Sequence, residues 1–357
     1  MKILSVIGAR PQFIKAALLS KEIRKYHEEI LVHTGQHYNE EMSDIFFEQL
    51  DIPQPSYNLG VGSGTHGYQT GHMIIELEKV LLREMPDFVL IYGDTNSTVS
   101  ASLAAVKLHI PVGHVEAGLR NFDLNIPEEV NRLVADHIST LLFAPTETAV
   151  DNLANEGLSD KTFLTGDVMY DILLRSLDVS EKQSGIMTEL GLRDKDYILA
   201  TIHRPDNTDN SDNLKNIIKA FETCGENVVV PLHPRTLKEM TKQNIKVESD
   251  HLKIITPLGY MDFLKLLHHA KKVITDSGGV QKESYLLKIP CITIYESTSW
   301  IETVRDGWNI LAKPDVEDIM DKIRNFNPSG KQGNYFGDGH SCERIVEIIN
   351  QYLNTRS

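Results

Sequence analysis

The sequence predicts an α/β protein made of two doubly wound, Rossmann-like domains facing a cleft. A chain of 357 residues is too long for one ordinary hydrophobic core. Short apolar runs rich in β-branched residues alternate with helical segments, the pattern of βαβ units around a parallel sheet. The alternation then restarts in the second half, so two such arrays are expected. The expected division is a first domain over 1–170, a second over 171–340, and a C-terminal helix, 341–357, crossing back to the first.

In the first half, Met1 to Ile7 reads as a buried parallel strand. Gly8-Ala9-Arg10-Pro11 turns, and Pro11 suits the first turn of a helix running from Gln12 to Tyr26. Ile30 to Thr34 is a second strand. Leu59 to Gly71, dense in Gly, Ser, Thr and His, reads as a loop over the cleft, followed by a helix from Thr70 to Met85 that Pro86 stops. Strands follow at Phe88 to Tyr92, Val112 to Val115, Leu141 to Ala144 and Thr162 to Gly166, with a helix opening at Pro127. Asp167 to Ser184 is the helical connection. The second array has strands at Tyr197 to Ile202, Asn227 to Leu232, Leu252 to Ile255, Val273 to Thr275 and Pro290 to Ile294, and helices at Met261 to Ala270 and Val280 to Leu287. Asn327 to Gly339 is turn-rich, and Cys342 to Tyr352 is a last amphipathic helix.

Composition narrows the function. With 41% hydrophobic and 24% charged residues the chain is globular in character, and a net charge of -14 argues against a general nucleic-acid or anionic-membrane surface. An anionic ligand must be held locally, by a few placed cations and helix N-termini. Cys224, Cys291 and Cys342 lack metal-ligand spacing and make neither a disulfide framework nor a zinc site, so a reducing cytoplasm is the expected compartment. Ile3 to Ile7 is too short for a secretory leader, and no segment reaches the length of a membrane span.

The chemistry gathers at strand ends. Thr275-Asp276-Ser277-Gly278-Gly279-Val280-Gln281-Lys282-Glu283 places a Gly pair between a strand and a helix, where backbone N–H groups and the helix dipole can hold a diphosphate. Glu283, one and a half turns on, could accept from ribose hydroxyls; an ordinary Gly-containing turn reads the same way. Arg10 and Lys15 flank another strand end and are cation candidates, or solvated surface charges. Asp94 is either a helix cap or a cleft carboxylate. Glu116 closes an apolar strand, which calls for a partner, whereas Glu128 in the Pro127-Glu128-Glu129 helix start fits the dipole alone. His203-Arg204 ends the first strand of the second array and suits phosphate contact or proton transfer; His233 and Phe263 read as structural.

Taken together, Gly8-Ala9-Arg10-Pro11, Gly93-Asp94-Thr95, His114-Val115-Glu116-Ala117-Gly118-Leu119-Arg120, Pro127-Glu128-Glu129, His203-Arg204, Thr275-Asp276-Ser277-Gly278-Gly279 and Gly337-Asp338-Gly339 run in order along nearly the whole chain. In these the chain resembles the non-hydrolysing UDP-N-acetylglucosamine 2-epimerases, whose fold is like that of GT-B glycosyltransferases. The resemblance implies inversion at C2 of a UDP-sugar by loss and return of UDP, with no metal, no nicotinamide or other cofactor, and a homodimer. It implies phosphate contacts at Arg10 and Lys15, catalytic groups at Asp94, Glu116, Glu128 and His203, uracil against Phe263, diphosphate at Ser277, Gly278 and Gly279, and ribose at Glu283.

The chain departs from the common pattern in three places. Tyr295-Glu296-Ser297-Thr298-Ser299-Trp300-Ile301-Glu302 stands where Arg-Asp-Thr-Thr-Glu-Arg-Pro-Glu is common, so two arginines are replaced. Asn121 to Ile126 is a short segment which, with Trp300, is similar to the branch acting on UDP-2,3-diacetamido-2,3-dideoxy-glucuronic acid. Gln36-His37-Tyr38 differs from the Gln-His-Arg of members that bind a second, activating UDP-sugar. The rivals are a GT-B glycosyltransferase, a hydrolysing epimerase and a non-catalytic sugar-nucleotide sensor.

Overall fold

The computed structural model describes residues 1–36, 53–328 and 330–355. It has two compact units, Met1–Leu174 with Asn334–Ser357, and Arg175–Gly333. Each holds one parallel sheet.

The first unit runs β1 (Lys2–Ile7), α1 (Arg10–Ile23), β2 (Glu28–His33), β3 (Tyr57–Asn58), α2 (His66–Glu84), β4 (Phe88–Tyr92), α3 (Asn96–Lys107), β5 (Val112–Val115), α4 (Pro127–Ile138), β6 (Leu141–Ala144), α5 (Glu147–Asn155) and β7 (Thr162–Leu164), and then enters α6 (Val168–Gln183). Its seven strands lie in the order β3-β2-β1-β4-β5-β6-β7. The direction of winding reverses between β1 and β4, and ligands of open α/β sheets bind beyond the carboxyl ends of strands at such a point. Gly8 to Lys15 and Gly93 to Ser97 leave the sheet there.

One expectation shifts. The stretch from Leu59 to Gly71 is a loop only in part, because α2 begins at His66, where the Thr65 hydroxyl accepts from the Tyr68 N–H. The helix forms despite Gly67 and Gly71, each worth about 1 kcal/mol against helix, because its apolar face, Met73, Leu77, Val80 and Leu81, is buried. At the other end α2 stops at Glu84, with Met85 in the left-handed region (φ 45°) ahead of Pro86.

The second unit continues from α6 through α7 (Ile186–Leu190), β8 (Ile198–Thr201), α8 (Pro205–Thr208), α9 (Ser211–Thr223), β9 (Val228–Pro231), α10 (Pro234–Lys242), β10 (Leu252–Ile255), α11 (Tyr260–His269), β11 (Lys272–Thr275), α12 (Gly278–Leu286), β12 (Cys291–Ile294), α13 (Ile301–Arg305), β13 (Asn309–Ala312) and α14 (Val316–Asn325). The strand order β10-β9-β8-β11-β12-β13 repeats the scheme, with the switch between β8 and β11. Alternate strand residues feed two cores: Ile198, Ala200, Val228, Val230, Ile274 and Ile292 into one, Leu199, Val229, Val273 and Cys291 into the other. A sheet covered on both faces is why these strands read as continuous apolar runs.

The chain returns to the first unit as α15 (Ser341–Asn354), which packs on α1, with His27 Nε2 2.6 Å from Asn350 Oδ1. Among the described residues no helix is long and apolar enough to cross a membrane.

Candidate functional site

In the first unit the switch point gathers charge. Lys15, one turn into α1, is buried, and its ammonium lies 2.5 Å from Glu116 Oε1. Glu116 follows β5 with φ at 72°, an uncommon conformation for a side chain other than glycine and a mark of strain at functional positions. Its N–H and that of Ala117 both donate to the Phe143 carbonyl, which anchors the strained residue to β6. Gly93, at φ 59°, is required here: a Cβ would stand 3.1 Å from Lys15 Nζ and 3.6 Å from Glu116 Oε1. The Arg10 side chain, His37 and Tyr38 lie outside the described residues.

Asp94 is not a helix cap. Thr95 holds that position for α3, while Asp94 Oδ2 accepts from Arg132 Nη2 at 2.6 Å and Nε at 3.0 Å. Burial works against the Arg132 charge, but Asp94 and Glu129 raise its pKa overall, so it stays cationic. Of the two acids opening α4, Glu129 is the structural one: it pairs with Arg132 at 2.9 Å and accepts the N–H groups of Asn121 and Phe122. Glu128 is exposed. Behind β5, His114 bridges Asp136 and the Gly93 carbonyl, 2.7 Å each, and Arg120 pairs with Asp136 at 2.8 Å. Arg132 therefore positions Asp94, with Glu129 holding the same guanidinium, while His114 and Asp136 tie β5 to the Gly93 backbone beside Asp94. No reading of the sequence marked their roles, although Arg132 falls three residues after Glu129 on one helix face, which is a usable signal.

In the second unit the organiser is Asp276, fully buried at the end of β11. Its carboxylate accepts from the backbone N–H groups of His203 and Arg204 and from Asn207 Nδ2, all at 3.0–3.1 Å, and lies 2.9 Å from His203 Nδ1. Burial disfavours this charge, yet His203 and the donated hydrogen bonds hold the carboxyl below the usual range. The imidazole is thus oriented through Nδ1, with most of its side chain exposed.

Next to Asp276, α12 starts at Gly278. The Ser277 N–H already donates to Thr275 Oγ1 at 2.9 Å, so the amide donors for an anion are those of the Gly pair, with Ser277 contributing its hydroxyl. Gly279 is exposed. Glu283 is buried and accepts from the Tyr260 hydroxyl at 3.0 Å; burial and the nearby carboxylate push the Tyr260 pKa far up, so the phenol remains a donor. Phe263, on the same helix as Tyr260, is half-buried against the core, which is its packing role.

Two replaced arginine positions have new occupants. The Arg204 guanidinium lies 4.3 Å from the centre of the Tyr295 ring, whose hydroxyl donates to Asp206. Trp300 is buried under Lys282, whose ammonium is 3.9 Å from the ring centre. A Cβ on Gly278 would come 3.3 Å from the Trp300 indole nitrogen, so this ring lies against the Gly turn.

These features can be set beside known proteins. A protein-family model described as UDP-N-acetylglucosamine 2-epimerase matches residues 21–350. A protein of Methanococcus maripaludis named UDP-N-acetylglucosamine 2-epimerase homolog is 54% identical, covering 98% of this chain and 99% of its own. The UDP-2,3-diacetamido-2,3-dideoxy-D-glucuronate 2-epimerase of Pseudomonas aeruginosa is 44% identical over 98% of this chain and 99% of its own. Among solved structures, the UDP-GlcNAc 2-epimerase of Methanocaldococcus jannaschii in complex with UDP-GlcNAc and UDP superposes with a TM-score of 0.93 at 44% identity, covering 98% of this chain and all of that one.

Proposed function

Because the chain belongs to the UDP-N-acetylglucosamine 2-epimerase family, we propose that it interconverts UDP-N-acetylglucosamine and UDP-N-acetylmannosamine without hydrolysing them. The observation that carries this reading is the match to epimerases over nearly the whole chain.

The chemistry sets what those groups must do. The C2 hydrogen of a pyranose is weakly acidic, so direct removal and return is unattractive. Breaking the C1–O bond to UDP while a base takes the C2 proton gives a glycal; re-addition of UDP at C1 with a proton delivered to the other face of C2 gives the epimer. UDP departs readily only if its developing charge is met. We assign that task to Lys15, Arg10, His203 and the Gly278-Gly279 amides. Asp94, Glu116 and Glu128 are assigned to the two proton transfers. The Glu116 carboxylate, set at φ 72° against Lys15, and Asp94, held by Arg132, are fixed in orientation by these contacts. Glu283 takes the ribose and Phe263 the uracil.

Trp300 against the Gly turn and the Pseudomonas relative favour a second reading, epimerisation of the diacetamido-uronate. Incubation with each UDP-sugar in deuterated water, followed by NMR at C2, decides between them. Deuterium at C2 and a mixture of epimers from one substrate is the expected result. Free sugar with UDP would indicate a hydrolysing epimerase, and no exchange with either substrate would refute epimerisation; transfer to an added acceptor without exchange would indicate a glycosyltransferase.

A further inference from the structure

The second unit holds a cluster that the nucleotide chemistry does not use. The end of α6 is fastened along α11: Ser180 Oγ donates to the Met261 carbonyl, Ser184 Oγ to Asp262, and Lys265 Nζ to the carbonyls of Glu181 and Ser184. At the last turn of α11, two successive histidines aim ring nitrogens at one carboxylate. His268 Nδ1 is 2.9 Å from Glu181 Oε1, and His269 Nε2 is 3.0 Å from Oε1 and 3.2 Å from Oε2. One ligand atom from each residue falls within 4.8 Å of the others.

The outer nitrogen of His269 narrows the meaning. His269 Nδ1 lies 2.9 Å from Asp194 Oδ1, and since a carboxylate only accepts, Nδ1 carries a proton. In neutral imidazole the lone pair is then on Nε2, facing the oxygens of Glu181. Two electron-rich groups at that separation need a positive particle between them, either a second ring proton or a cation.

We propose that Glu181, His268 and His269 form a binding site for a divalent transition cation, best matched by Zn2+, with water as the fourth ligand. Tetrahedral zinc with bonds of about 2.05 Å separates its ligand atoms by about 3.3 Å. The two imidazole–carboxylate contacts, 2.9 and 3.0 Å, need to open by only a few tenths of an ångström, and the two ring nitrogens lie within 4.8 Å of each other. The Asp194–His269 contact is the kind that orients a metal-bound imidazole and fixes its tautomer. Imidazole nitrogen with carboxylate oxygen suits Zn2+ better than Mg2+ or Ca2+, which prefer all-oxygen shells. The three side chains are 25–37% exposed, so solvent can reach the open position. Lys265 stands 3.7 Å from Oε2 and spends its hydrogen bonds on carbonyls, which makes Oε1 the ligand atom. The site lies about 12 Å along α11 from Tyr260, at 1.5 Å per residue, and acts as a clasp between helices.

The test is titration of untagged, chelator-stripped protein with Zn2+ by calorimetry and with Co2+ by its visible absorption, for the wild type and for Glu181→Gln, His268→Gln, His269→Gln and Asp194→Asn. One equivalent should bind the wild type and raise its melting temperature. Affinity should fall at least tenfold in the three ligand variants and about tenfold in Asp194→Asn, the lower end of outer-shell effects. UDP affinity should be the same with and without chelator. Absence of saturable Zn2+ binding to the wild type, or equal binding in all five proteins, would overturn the proposal and assign the cluster to a second imidazole proton.

Discussion

Gly279→Val tests the proposed diphosphate cradle separately from the fold that carries it. Gly279 is exposed, and a Cβ added to it meets nothing nearer than Ser277 Oγ at 3.9 Å. The added side chain therefore fits the free protein, and valine is slightly the better helix former, so stability should change by less than about 0.5 kcal/mol. The bound state is another matter. A branched side chain over the first turn of α12 keeps a phosphate from the Gly278 and Gly279 amides, and hydrogen bonds to charged groups are worth about 1.5–3 kcal/mol each. Loss of two amounts to about 3–6 kcal/mol, or roughly a hundred- to ten-thousand-fold in UDP affinity. Calorimetry with UDP, beside a thermal melt of each protein, measures both halves. A variant with unchanged melting temperature and a dissociation constant within threefold of wild type would show that the diphosphate is held elsewhere.

The remaining predictions concern the charged residues. Asp94→Asn and Glu128→Gln should keep UDP affinity while C2 exchange falls about a hundred- to ten-thousand-fold, the span of general acid-base steps; a loss below about tenfold would remove that residue from proton transfer. Glu116→Gln should lose exchange and also stability, because it strands the buried Lys15 ammonium, and an unchanged melting temperature would argue against a buried charge pair. His203→Ala should weaken UDP binding and exchange together, read from the same two assays. Arg132→Met leaves Asp94 and Glu129 without their cation and should cost about 3–5 kcal/mol in urea unfolding. Asp276, whose folded pKa lies below its ordinary value, contributes stability that is complete above about pH 4 and is lost as pH falls through the lower folded value. Asp276→Asn should accordingly flatten the acid side of the stability profile, and a profile as steep as the wild type's would rule out that role.

The strands were legible where both faces of a sheet are covered, since burial on each side imposes unbroken apolar runs such as Phe88 to Tyr92. Two were not: β3 is a two-residue edge strand, and β13 starts at Asn309, whose side chain bonds to Gln281, Thr293 and Thr303 in the interior. The start of α2 was hidden because Gly67 and Gly71 signal loop, while the cap at Thr65 is a single weak hydrogen bond. Among the candidate site residues, the need of Glu116 for a partner was readable from its place at the end of an apolar strand, and Lys15 is that partner. Asp94 was ambiguous because a carboxylate before a helix serves as a cap or as a reactive group, and only the position of Arg132, 38 residues on, separates the two. Such partners are set by the packing of α4 across the sheet, which a local pattern does not encode.

The two groups of charged residues share one construction. Each candidate reactive group that is held, Glu116 by Lys15, Asp94 by Arg132, His203 by Asp276, is fixed by a partner on a different segment of the same unit. Where both partners are buried, as in Lys15–Glu116, such a pair contributes little net stability, since desolvation offsets the attraction. What the partners supply is orientation: a carboxylate tied through one oxygen keeps its direction, and an imidazole tied through Nδ1 presents Nε2. For a reaction that removes a proton from one face of C2 and returns one to the other, direction decides the product. Glu128 is exposed, in contrast with these held groups. If it shares in proton transfer, its orientation must come from the bound sugar, so Glu128→Gln should raise KM for the UDP-sugar as well as lower kcat, while Asp94→Asn should lower kcat alone. Equal KM values in the two variants would remove that distinction.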